Sequence, residues 1–140
     1  MQESDYRVLP NFASKIKAGH PVDVYGSGKQ TRTFCYVTDA IVGFVRVILK
    51  GVPGETYNIG CPSPEVSILD LVKIINKFSK DSVKFNLIEY PDSYPGDEPM
   101  RRSPDIRKAR LQLGFEPVVA IEDGLKRFFS WTDINYSGQR

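Results

Sequence analysis

Tyr25 and Lys29 stand four residues apart in Tyr25-Gly-Ser-Gly-Lys29. On a helix that spacing puts a phenol and an ammonium on one face, where they can act as an acid/base pair. Two of the three intervening residues are glycines, which disfavour a helix. A strand ending in a turn is the better reading. The same stretch fails as a phosphate loop. Such a loop needs Gly, four residues and then Gly-Lys-Ser/Thr, and here both the first glycine and the final hydroxyl are missing. A dinucleotide fingerprint would place its third glycine at residue 31, which is Thr31. What remains is a loop whose backbone can approach a ligand closely.

The arginines come next. Arg32 follows that loop, and its planar donor fork suits phosphate; a solvated surface arginine is the alternative. Arg101-Arg102 lies in an irregular segment of the kind that often carries binding residues, although a solvated charge pair would read the same way. Asp97 has the chemistry to accept from ribose hydroxyls or to stabilise a turn after Gly96. Other polar residues read as structural. His20 sits in a turn, Cys35 in an apolar strand, and Asp39 at a helix start. Trp131 and the Phe128-Phe129 pair read as core.

Turn signals cut the chain into short elements that must position these groups. Residues 8–18 read as a helix interrupted early by Pro10 and closed by Gly19-His20-Pro21. Residues 22–25 and 33–37 read as strands. Thr38 or Asp39 would cap a helix carrying Ile41, Val42, Phe44, Val45, Ile48 and Leu49, apolar on most of its circumference and therefore expected to be buried on more than one side. Residues 55–59 read as a strand. Ser67 then caps a helix with Ile68, Leu71, Val72, Ile75 and Phe78 in helical register. Residues 83–90 alternate as a strand does, and four prolines and a glycine make residues 91–104 irregular. A short helix over residues 105–113 ends at Gly114, and a last amphipathic helix covers residues 121–131. Residues 133–140 read as a tail without fixed order. The mixture is that of an α/β or α+β piece, a single domain over residues 1–140, with no complete βαβ unit bearing a glycine-rich nucleotide turn.

Composition narrows the function. With 41% hydrophobic and 26% charged residues, the chain is that of an ordinary globular protein. A formal charge of +2 does not suggest a nucleic-acid binder. The longest apolar stretch is broken by Arg46 and too short to span a bilayer, and the polar opening is not a secretory signal. Two cysteines give no disulfide framework, which suggests a reduced, cytoplasmic chain. A single histidine and no Cys-x-x-Cys pair argue against a metal site.

Taken together, four segments resemble a known family. Residues 24–39, VYGSGKQTRTFCYVTD, are similar to a block of the extended short-chain dehydrogenases that act on nucleotide sugars. ETYNIG at residues 55–60, RRSPDIRKA at 101–109 continuing to LGFEP at 113–117, and EDGL at 122–125 follow in the same order and spacing. The QTR and RRxPDI forms look most like UDP-glucuronate decarboxylases, within the wider NAD-dependent epimerase/dehydratase group. The resemblance is to the C-terminal, substrate-binding part of such enzymes. Their first half, with the NAD loop and the helical Tyr-x-x-x-Lys, has no counterpart here, so the resemblance implies no NAD and no catalytic residue in this chain.

By resemblance, Arg32 and Arg102 would contact the diphosphate of a UDP-sugar. The backbone around Val24 and Tyr25 would line the uracil pocket, and Asn11 would flank the sugar nucleotide. Asp97 would be left as the ribose contact, since Tyr94-Pro-Gly-Asp97 lacks the arginine that epimerases carry in that stretch. The implied function is the nucleotide-sugar-binding portion of a decarboxylase, epimerase or dehydratase, working with a missing or separate Rossmann domain. A stand-alone UDP-sugar-binding or regulatory module, or a subunit of a split enzyme, remains the alternative. Apolar surface left uncovered by the missing half would favour self-association.

Overall fold

The computed structural model describes residues 7–79, 81–91 and 99–136. Helix α1 (Val8–Lys17) opens the fold. Pro10 does not interrupt it, because the first turn of a helix has no intrahelical acceptors to lose. Gly19, at φ 73°, turns the chain into strand β1 (Val22–Tyr25). Strand β2 is only Thr31–Arg32. Residues 33–36 leave the ladder, and Val37 already belongs to helix α2 (Val37–Lys50), so the strand expected over 33–37 does not form.

Helix α2 departs from expectation twice more. Its N-cap is Tyr36, with no side-chain cap, and Asp39 is buried for another purpose. The Asp39 carboxylate accepts from the amides of Val118 and Val119 at 3.0 and 2.9 Å, tying α2 to a segment some eighty residues away. Nor is the helix buried on more than one side. Only Asp39 and Gly43 are buried, while Ile41, Phe44 and Ile48 are 54, 57 and 82% exposed. Residues 55–59 pair with no strand among the described residues, so the strand expected there does not form.

The rest follows the sequence closely. Strand β3 (Val66–Ser67) leads into helix α3 (Ile68–Asn76), whose cap is Ser67, its hydroxyl accepting from the Asp70 amide at 3.0 Å. Such a cap contributes about 1 kcal/mol. Strand β4 (Phe85–Ile88) falls inside the expected segment, strand β5 (Arg101–Arg102) adds a short ladder to the irregular one, and helix α4 (Arg107–Leu113) ends on Gly114 at φ 64°. Helix α5 (Ile121–Asn135) runs beyond Trp131, so residues 133–135 are helical rather than tail. Residues 137–140 lie outside the described residues. Trp131 is 46% exposed, and Phe128 and Phe129 are half-buried, so this trio borders the core instead of filling it.

Two small sheets hold the elements together. One pairs β1 with β4 in parallel; the other has the order β3-β2-β5, antiparallel on one side of β2 and parallel on the other. The larger core gathers Phe12 of α1, Val22 and Val24 of β1, Leu71 and Ile75 of α3, and Leu125 of α5. A second core, Ile106, Ala109, Leu113 and Phe115, is backed by Val47, Tyr57 and Ile59. No helix among the described residues is long and apolar enough to cross a membrane.

Candidate functional site

Between α1, the end of β1 and the three-stranded sheet lies a cleft of about 230 Å³. Asn11, Tyr25, Arg32 and Arg102 all line it, four of the six residues expected at the site. Val24 does not; its side chain is fully buried in the larger core and only positions Tyr25. Asp97 lies outside the described residues.

Strand alternation explains how the two arginines meet. Arg32 and Arg102 are register partners in the parallel β2–β5 pair, so their side chains leave the same face. Arg32 also donates from Nη1 to the Thr31 carbonyl at 2.6 Å, which steadies its guanidinium near the ladder. On the opposite wall, Asn11 follows from the first turn of α1. Its Oδ1 is buried and accepts no hydrogen bond from the described residues. A buried acceptor without a donor is costly, and this one lines the cleft.

The aromatic wall depends on residues that sequence reasoning passed over. Tyr25 stacks on Tyr90 with ring centroids 5.5 Å apart and planes 25° apart. Gln30, nearly fully buried, donates from Nε2 to the Tyr25 carbonyl at 3.0 Å and to the Tyr90 hydroxyl at 3.2 Å, while its backbone carbonyl accepts from the Ile68 amide. The loop's glycines are required here. A side chain on Gly28, at φ 66°, would meet Val24 Cγ1 at 2.7 Å and Leu69 Cγ at 2.8 Å. Gln30 stood in the QTR form of the resemblance, which gave it no role of its own; Tyr90 gave no signal.

Charges around the cleft are organised. Asp23 lines it and pairs with Lys15 at 2.7 Å. Behind the β3-β2-β5 ladder, Glu65 accepts from the Thr31 hydroxyl and from Arg101 Nε, the latter at 2.8 and 3.0 Å. The Thr31 hydroxyl, then Arg101, holds the Glu65 carboxyl below the usual carboxylate range. Away from the cleft, the hydrogen bonds of Arg107 bring the Asp105 carboxyl down to about 2. Burial, with Asp39 nearby, pushes the Cys35 thiol up to about 11, which leaves it a poor nucleophile. His20 is exposed in its turn, as expected.

Chemically, the cleft presents three guanidinium groups, those of Arg7, Arg32 and Arg102, with a buried amide acceptor and a stacked aromatic pair. That set can hold an anion next to a planar group and a hydroxyl. It holds no helical Tyr-x-x-x-Lys pair, because Tyr25 ends a strand and Lys29 sits in the following loop. The turn at Gly26 and Gly28 runs into β2 rather than into the start of a helix, which a dinucleotide pyrophosphate cradle requires.

The family model "NAD dependent epimerase/dehydratase family" matches residues 1–60. UDP-glucuronic acid decarboxylase 1 of Xenopus tropicalis is 39% identical over 127 residues, 91% of this chain and 29% of that protein. The chain thus resembles this family over its first 60 residues and the decarboxylase over nearly all of its length. A further relative, dTDP-D-glucose 4,6-dehydratase of Bos taurus, is 33% identical over 134 residues, 93% of this chain and 37% of its own length. Among solved structures, UDP-glucuronic acid 4-epimerase from Bacillus cereus, in complex with UDP-glucuronic acid and NAD, matches at a TM-score of 0.83 and 32% identity, over 94% of this chain and 41% of that one. The chain thus spans less than half the length of these relatives.

Proposed function

We infer that this chain is the C-terminal, nucleotide-sugar-binding portion of an NAD-dependent sugar-nucleotide decarboxylase, epimerase or dehydratase, and that it does not catalyse alone. The observation that carries this reading is the convergence of Arg32, Arg102, Tyr25 and Asn11 on one cleft from three separate parts of the chain. A UDP-sugar offers each its complement. The diphosphate takes the guanidinium groups, the uracil lies against the Tyr25–Tyr90 wall, and a hydroxyl or amide donor meets the buried Asn11 Oδ1. The decarboxylase, dehydratase and epimerase relatives support this substrate class. On this reading NAD is held by the part of the enzyme that this chain does not span. Calorimetry provides the test. Saturable binding of UDP, with no binding of NAD and no turnover of UDP-glucuronate, is the expected result. Tight stoichiometric NAD binding, or a folded chain that ignores UDP, overturns the reading.

The same reading accounts for α2. Ile41, Phe44, Val45 and Ile48 recur at the spacing of one helix face and are all about half exposed or more. A contiguous apolar stripe of this kind is unusual on a monomer. In the whole enzyme it packs on the Rossmann half; in its absence the chain is expected to pair with itself. Light scattering over a concentration series should show a dimer or larger species, and Ile48→Glu should shift it toward monomer. A clean monomer at high concentration sinks this expectation.

A further inference from the structure

The ladder that brings Arg32 and Arg102 together is very short. Strands β2, β3 and β5 have two residues each. Across the β2–β5 seam, the Thr31 amide donates to the Met100 carbonyl at 2.7 Å and the Thr33 amide to the Arg102 carbonyl at 3.3 Å. A ladder of two register pairs does little to hold a strand that emerges from a proline-rich segment. The register must be reinforced by side chains.

Alternation places that reinforcement on the rear face. Thr31 and Arg101 are register partners, as are Arg32 and Arg102, and successive residues point to opposite faces. Thr31 also pairs with Ser67 in β3, so Glu65, two residues before Ser67, shares the rear face with Thr31 and Arg101. All three strands therefore converge on one carboxylate. Glu65 receives the Thr31 hydroxyl from β2 and Arg101 Nε, which reaches both carboxylate oxygens, from β5. Downstream of β5, Ser103 Oγ donates to the Pro62 carbonyl at 3.2 Å, a second tie to the same segment. Arg101 itself does not line the cleft, whereas Arg102 does.

We propose that Glu65 is a positioning residue for diphosphate recognition: by binding Thr31 and Arg101 behind the β3-β2-β5 ladder, it fixes Arg102 beside Arg32 in front. The role rests on the UDP-sugar reading above. Glu65 touches no ligand; it acts through the register of β5. Its removal therefore costs the phosphate end of the ligand and spares the base end.

The test uses Glu65→Gln in the 140-residue chain, with UDP and uridine as probes. UDP affinity should fall several-fold while uridine affinity stays unchanged, because only UDP presents phosphates to the arginine pair. The amides of Thr31 and Thr33 should lose hydrogen-exchange protection. Adding Arg101→Gln to Glu65→Gln should cause little further loss, since both changes break one bridge. Glu65→Asp should recover part of the UDP affinity. A UDP affinity within about twofold of the unaltered chain, the scatter expected of uncoupled sites, overturns the proposal, as do equal losses for UDP and uridine or unchanged exchange at Thr31 and Thr33. Absence of UDP binding in the unaltered chain, with those amides still losing protection in Glu65→Gln, overturns the nucleotide-sugar reading, and the diphosphate role with it.

Discussion

Arg32→Ala is expected to weaken UDP binding by about 1.5–3 kcal/mol, the range for hydrogen bonds to charged groups, which is roughly 10- to 150-fold in affinity. Arg32 stands at the edge of the cleft with Arg102 as its register partner, so the two forks can share one diphosphate. Arg32→Lys should also lose affinity, because a compact ammonium cannot reproduce the planar fork. Calorimetry against UDP, with a thermal melt to confirm that each variant is folded, makes the comparison. If both variants bind as the unaltered chain does, Arg32 plays no part in holding the diphosphate.

Phe12→Ala carries the largest expected effect on stability, about 3–5 kcal/mol for emptying a fully packed aromatic site. Phe12 is fully buried in the larger core, where it meets elements from both ends of the chain. It also follows Asn11 directly, so the packing of this ring sets where the buried amide points. A chain of this length should melt at least about 10 °C lower, as read by circular dichroism. A drop of only a degree or two would mean that the surrounding side chains close the gap.

Much of the fold was legible because helices carry their own evidence. In α3 the apolar spacing and the Ser67 cap agree, and in α4 the chain stops at a glycine that takes a left-handed conformation. Strands were less legible because a ladder needs a partner that a local window does not contain. TFCYV at residues 33–37 has strong β-forming residues, yet beyond Thr33 it pairs with no strand among the described residues and turns into α2. Asp39 illustrates the same limit: its residue type suits a cap, but its carboxylate goes to amides near residue 118. The apolar circumference of α2 was read correctly as to chemistry and wrongly as to burial, because periodicity does not say which chain supplies the cover. At the site, Arg32, Arg102, Tyr25 and Asn11 were found through resemblance. Gln30 and Tyr90 were not, since their importance lies in a hydrogen bond spanning sixty residues.

Helix α2 is held by polar anchors. At its start the Asp39 carboxylate accepts two backbone amides, and further along Arg46 Nη1 donates to the carbonyls of Leu113 and Gly114 at 3.0 and 2.7 Å. Hydrogen bonds are directional, so these anchors set the rotation of the helix about its axis without drawing on its apolar stripe. Whatever covers that stripe meets a surface already oriented and gives up little backbone freedom in doing so, a form of preorganisation that strengthens association by reducing its entropic cost.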